Sequence, residues 1–79
     1  MSLAEAIALR VEQLLKENNL TQYKLSKLSG VSQTTISEIR SKKNKAPNLY
    51  VIYELAQGFN ISLFEFFNCD YFKDFNIID

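Results

Sequence analysis

Histidine and tryptophan are absent from this sequence of 79 residues, and cysteine and proline occur once each. Because Cys69 has neither a second cysteine nor a histidine to join it, no internal disulfide and no structural zinc site are expected. No apolar run approaches the roughly 18 residues that span a bilayer, and the first residues lack the pattern of a secretory signal. We therefore expect a cytoplasmic protein with no metal, no cofactor and no membrane contact.

A usable arrangement of catalytic groups is also missing. Cys69, Ser29 and the carboxylates have no base nearby in the sequence that would activate a nucleophile, and the chain has no histidine to supply one. Cys69 is better interpreted as a small apolar residue at a helix end. We therefore do not expect an enzyme.

The apolar residues are sufficient for one globular core. They make up 47% of the chain, which argues against disorder, and the length allows a single domain without a second functional one.

Charge is balanced overall but unevenly distributed. The segment from Thr21 to Asn48 carries six cations against Glu38 alone, a net charge of +5. The residues before it carry −1 and those after it carry −4. We call residues 21–48 the basic segment. A dipolar molecule of this kind would turn its basic side toward phosphates, with modest and salt-dependent affinity.

The stretch from Thr21 to Arg40 predicts two short helices separated by a turn. Thr21 and Ser32 are suited to cap the two helices, and Gly30 is the residue type that most easily adopts a positive φ. The side chains expected to face inward are Leu25, Leu28, Ile36 and Ile39. The opposite face of the second helix carries Thr34, Ser37, Glu38 and Ser41, with Gln33 at its edge. This polar and almost uncharged surface suits hydrogen bonding to base edges.

These residues resemble the phage-repressor and Cro-type helix-turn-helix family of DNA-binding regulators. The resemblance rests on Leu-Thr-Gln opening the first helix, Leu25, Gly30-Val31-Ser32 at the turn, and Ile36 and Ile39; it runs from about Leu9 to Phe67. Two departures stand out. Ser26 replaces a usual alanine, while Leu15 and Arg40 stand where some members place an Arg and a Glu that pair. The second departure predicts that a buried ion pair is missing.

The resemblance implies an all-α fold, a compact lambda-repressor-like bundle of five helices whose second and third helices form the helix-turn-helix. Residues 1–67 would form the DNA-binding domain. Residues 68–79 would form an apolar extension that either packs onto its own core or makes a dimer contact. The implied partners are a double-stranded DNA operator and a second copy of the chain. A protein antagonist is a further partner that the family allows.

The resemblance also assigns roles to side chains. Base-reading candidates are Gln33, Thr34, Ser37 and Glu38, of which Gln33 can pair with adenine. Glu38 could instead pair with Lys42 on the next turn. Phosphate-binding candidates are Gln22, Lys24, Thr35, Arg40, Lys42, Lys43, Asn44, Lys45 and Asn48. For Thr35 a packing role is equally expected.

Local signals place the other helices. Ser2 and Glu5 have capping-box spacing for a first helix that ends near Asn18, and Ser62 and Glu65 have the same spacing for the fifth. Asn48 is expected to cap the fourth helix, with an apolar stripe at Leu49, Ile52, Leu55 and Ala56. Gly58 is expected to end that helix in the left-handed conformation.

Two functions remain open on this sequence. The first is a transcriptional regulator, expected to be a repressor, that binds a two-fold operator. The second is a protein-interaction or antitoxin-like module on the same fold. The polar face at Thr34, Ser37 and Ser41 favours the first, because these side chains are poor anchors for a protein partner.

Overall fold

Five α-helices follow one another along the chain in the computed structural model, which describes residues 1–42, 45–73 and 77–78. They are α1 (Leu3–Glu17), α2 (Gln22–Ser29), α3 (Gln33–Ser41), α4 (Leu49–Gly58) and α5 (Leu63–Phe67). A short 3-10 helix follows at Asp70–Phe72, and the described ranges contain no strand. The predicted all-α bundle of five helices is therefore confirmed.

The helices begin at the predicted capping residues. In each of the five α-helices a side-chain oxygen accepts a hydrogen bond from the N–H three residues later; the capping residues are Ser2, Thr21, Ser32, Asn48 and Ser62. At the first helix the capping box is complete, because Ser2 N–H also donates to Glu5 Oε1 at 3.1 Å. That hydrogen bond lowers the pKa of the Glu5 carboxyl below its ordinary value, since it stabilises the charged form.

The helix ends follow the predictions less closely. Gly30 ends α2 with a φ of 78°, in the left-handed conformation that was expected of it. Gly58 was also expected to end α4 in this conformation. It is the last residue of α4, so the predicted helix end is confirmed, but the left-handed conformation was wrong, because the positive φ of 61° falls on Asn60.

A different constraint acts on Gly58. A Cβ at this position would lie 2.8 Å from the Cβ of Ser29 and 3.1 Å from the Cδ1 of Leu25. The glycine therefore allows the end of α4 to approach the end of α2, which packs the helix-turn-helix onto the rest of the bundle.

The core forms where α1, α2, α3, α4 and α5 meet. Its largest fully buried side chains are Ile7, Val11, Leu25, Ile36, Leu55 and Phe66. Leu28 and Leu49 were expected to join it, but they are 51% and 60% exposed. Because α2 contacts α4 through Leu25 and Ser29, Leu28 falls to the side of the buried stripe.

Arg10 is a charged residue buried in this core, with 8% of its surface exposed. Its Nε and Nη2 donate to the backbone oxygens of Phe66 and Glu65 at 2.7 and 2.6 Å, and Nη1 donates to Gln13 Oε1 at 2.8 Å. A side chain of α1 therefore donates to two carbonyl groups in the last turn of α5.

The described part of the C-terminal extension lies against the bundle. The rings of Phe67 and Phe72 meet edge to face with centroids 5.1 Å apart, and Phe72 packs against the core. The N–H of Ile78 donates to the backbone oxygen of Met1 at 2.8 Å. A dimer contact by this extension stays a prediction.

Candidate nucleic-acid interface

The turn between α2 and α3 is held by two serine hydroxyls. Ser26 Oγ donates to the backbone oxygen of Val31 at 2.7 Å, and Ser29 Oγ accepts from the N–H of Val31 at 3.1 Å. The Val31 side chain is buried in the core. Ser26, which departs from the family's usual alanine, thus closes the turn with a hydrogen bond that alanine could not make.

The four predicted base-reading residues share one exposed surface. Ile36 is fully buried on the inner side of α3 and fixes the rotation of the helix. The exposed residues on the other side are Gln33, Thr34, Ser37 and Glu38, which we call the outer face of α3. This surface presents an amide, two hydroxyls and one carboxylate, so it can donate and accept hydrogen bonds with little net charge.

Several of the predicted phosphate-binding cations also lie on the surface. Lys24, Lys42 and Lys45 are exposed, and Lys42 ends α3 with a φ of 63°. Lys43 and Asn44 lie outside the described residues. Lys45 and Pro47 line a small depression of about 110 Å³ together with Thr35, Glu38 and Ile39. The described end of the loop after α3 therefore lies against that helix.

Two other phosphate candidates take part in helix capping. Asn48 Oδ1 accepts from the N–H of Val51 at 2.9 Å and so caps α4. Thr35 lies partly buried, and its hydroxyl accepts from the hydroxyl of Ser32 at 3.0 Å while its N–H donates to the same oxygen. Thr35 is thus built into the start of α3.

The remaining phosphate candidates, Gln22 and Arg40, are hydrogen-bonded to each other. Arg40 Nε and Nη2 donate to the two carboxylate oxygens of Glu12 at 2.5 and 3.2 Å. Arg40 Nη1 donates to Gln22 Oε1 at 3.0 Å. Gln22 Nε2 donates in turn to the backbone oxygen of Gln33 at 3.3 Å. We call Glu12, Arg40 and Gln22 the relay.

The relay contains an ion pair that was not predicted from the sequence. Leu15 cannot pair with Arg40, as expected, but Arg40 pairs instead with Glu12 on α1, where the two side chains are partly exposed. Glu12 lies three residues before Leu15, and residues three apart share one side of a helix. A search one turn away from Leu15 would have found this carboxylate.

The fold and this interface define a class of protein, the helix-turn-helix DNA-binding domains. A family model described as helix-turn-helix, HTH_3, matches residues 11–66. The chain belongs to this family, and the resemblance to Cro and phage repressors is confirmed.

Two solved structures are similar to the chain. The crystal structure of an HTH_3 family transcriptional regulator from Vibrio cholerae has a TM-score of 0.78 and 25% identity, over 86% of this chain and 38% of that one. The crystal structure of prophage Lp1 protein 11 has a TM-score of 0.81 and 23% identity, over 94% and 99% of the two chains. The chain thus spans less than half of the Vibrio cholerae protein. No curated protein matches it in sequence.

In the part of the chain that the structure describes, none of the helices combines the length and apolar character needed to cross a membrane. Among these same residues, no group of three or more Cys, Asp or Glu side chains is placed to hold a metal ion.

Proposed function

We propose that this chain represses transcription by binding a specific double-stranded DNA operator, with α3 in the major groove and α2 across the backbone. The observation that carries the proposal is the outer face of α3, where four polar side chains are exposed together on the side of the helix opposite the buried Ile36. A major groove admits one α-helix and displays a distinct pattern of donors and acceptors for each base pair. A helix that exposes mainly amide and hydroxyl groups to solvent is suited to that pattern.

Base recognition would start at the first turn of α3. Gln33 lies at the N-terminus of the helix, and its side-chain amide can donate to and accept from one adenine. Thr34 and Ser37 would bond to several bases or touch a thymine methyl group. Glu38 would accept from a cytosine amine when that base is within reach.

Phosphate contacts would set the position of α3 on the duplex. Exposed Lys24, Lys42 and Lys45 lie in the basic segment, to which we add Lys43 and Asn44 on the strength of the sequence. Such contacts release counterions, so affinity should fall steeply with salt. The Arg40 charge is already balanced by Glu12, and its contribution to this attraction should be small.

Operator binding would involve two copies of the chain, since helix-turn-helix domains commonly bind paired half-sites. The start of α4 exposes large apolar side chains suited to such a contact; they are Leu49, Tyr50 and Tyr53. The two tyrosine rings lie with their centroids 6.4 Å apart and form one surface. We further propose that the chain has no catalytic role and acts in the cytoplasm.

The proposal is tested by selection from a randomised duplex pool at two salt concentrations. Gln33→Ala should relax the preference at one base position. It leaves the backbone oxygen that Gln22 contacts in place. Lys45→Ala should weaken binding to all sites alike. It should also make the slope of log affinity against log salt concentration shallower by about 0.9, the value expected for the loss of one phosphate contact. Lys73→Ala removes the same charge outside the basic segment and should change neither quantity.

Enrichment of a palindromic site would support the dimer as well as the DNA-reading helix. The proposal fails if no sequence is enriched and binding disappears near physiological salt. A protein partner would then be the better explanation, and a contact through the apolar start of α4 rather than through α3 would be the surface to examine.

A further inference from the structure

The relay fixes the orientation of the Gln22 amide. A guanidinium group has only donors, so the Gln22 atom that faces Arg40 Nη1 must be the oxygen. This turns the Gln22 nitrogen toward the backbone oxygen of Gln33, which can only accept. Donors and acceptors therefore alternate without conflict from Glu12 to Gln33, and rotating the amide by half a turn would break both contacts.

Glu12 determines where the Arg40 side chain lies. The carboxylate receives two of the guanidinium donors, in the bidentate arrangement that combines charge with a fixed direction. The side chains of Arg40 and Glu12 are only 34% and 44% exposed, so solvent screens the pair less than it would on an open surface. The third donor is thereby directed at Gln22.

We propose that Glu12 is a positioning residue for base recognition, although it lies on α1, outside the helix-turn-helix. It acts through Arg40 and Gln22 to hold the first residue of α3, and with it the Gln33 side chain, in a fixed position. This inference rests on the proposed function, because it concerns the accuracy with which α3 reads bases. A shift of a side chain by a fraction of a hydrogen-bond length is enough to lose a bidentate contact.

Glu12 has a second effect, which is to weaken the binding of DNA of any sequence. Its carboxylate neutralises Arg40 beside the basic segment and so keeps that guanidinium from binding phosphate. Phosphate contacts strengthen binding to all sequences equally, whereas base contacts distinguish them. Glu12 therefore lowers non-specific attraction while it sharpens base reading, and both effects raise specificity.

The decisive comparison is Glu12→Gln against Glu17→Gln, which removes the same charge from the exposed end of the same helix. Binding is measured for the selected operator, for operators with single base changes and for an unrelated duplex. In Glu12→Gln we expect discrimination at the Gln33 base pair to fall about tenfold, within the range that one bidentate contact supplies. Unrelated DNA should bind severalfold more tightly, with a salt slope steeper by about 0.9. Glu17→Gln should keep the wild-type discrimination.

Exchanging the two charges separates positioning from stability. Each single variant, Glu12→Arg or Arg40→Glu, places two like charges together and should lower the melting temperature. The double variant restores an ion pair, so its melting temperature should be close to the wild-type value. A carboxylate at position 40 attracts the Gln22 nitrogen instead of its oxygen, which turns the amide oxygen toward the Gln33 backbone oxygen. We expect the double variant to regain stability but not discrimination.

Three results would overturn the inference, and they differ from a failure of the proposed function. One is equal discrimination in Glu12→Gln and Glu17→Gln. Another is a loss in Glu12→Gln that is uniform over all base pairs, as a purely structural role would produce. The third is full recovery of discrimination in the charge-exchanged variant. If the wild-type protein itself selects no sequence, the proposed function is refuted and the inference falls with it.

Discussion

Replacing Arg10 by methionine tests whether one buried cation holds α5 in place. Methionine keeps most of the unbranched apolar stem that packs inside the bundle, but it has no donors. The backbone oxygens of Glu65 and Phe66 then lose their charged partner. Because α5 has only five residues, few of its carbonyl groups have a partner within the helix itself.

The expected loss follows from the number and type of these contacts. A hydrogen bond to a charged group contributes about 1.5–3 kcal/mol, and a cation at a helix C-terminus adds about 0.3–1 kcal/mol. Removing the guanidinium also removes the cost of burying its charge, which offsets part of the sum. We expect a net loss of about 3 kcal/mol. A chain of this size has roughly 4–12 kcal/mol of stability in total, so the fold should survive with a much lower melting temperature.

Urea denaturation followed by circular dichroism measures this loss directly. At about 4–8 °C per kcal/mol, the melting temperature should fall by roughly 12–24 °C in a parallel thermal scan. Arg10→Lys should recover part of the difference, since one ammonium group cannot reach three acceptors in the fork arrangement. Lys16→Met removes an exposed cation from the same helix and should change stability by less than about 0.5 kcal/mol. If Arg10→Met is as stable as Lys16→Met, the capping role of Arg10 is refuted.

Two further substitutions test individual backbone positions. Gly58→Ala should destabilise the protein by about 1–2 kcal/mol in thermal unfolding, because overpacking against Ser29 outweighs the gain in helix propensity; a more stable variant would contradict this. Lys42→Gly should raise stability by about 1 kcal/mol, because glycine adopts the positive φ of this position without strain. The same change should weaken DNA binding, so a parallel rise in affinity would exclude Lys42 as a phosphate ligand.

The helix starts were predictable from the sequence because each depends on neighbouring residues. An N-cap needs one side-chain oxygen and an N–H three positions later, and both are visible in a short stretch such as Ser32 to Thr35. The turn at Gly30 is equally local. The outer face of α3 also followed from local information, since the helical period and the inward direction of Ile36 determine it.

The errors concern partners that are far apart in the chain. Gly58 was assigned a left-handed conformation because glycine commonly adopts it at helix ends, but the constraint on this glycine is its close approach to Ser29 on another helix. Arg10 was counted only as a charge, whereas its acceptors lie 55 and 56 residues further on. Such contacts depend on how helices pack, and the spacing of residues within a helix carries no information about them.

Arg40 illustrates the consequence for function. Counting charges along the chain assigned +5 to the basic segment, and this number includes Arg40. Glu12 lies outside the segment in sequence but contacts Arg40 in the fold, so one of those positive charges is compensated locally. Under the proposed function, the attraction to DNA would therefore come mainly from the lysines, while Arg40 would contribute to the position of α3. A sequence tally treats both kinds of cation alike because charge is visible in the sequence and pairing is not. In this protein the difference separates a residue that would bind any DNA from one that would help to distinguish one site from another.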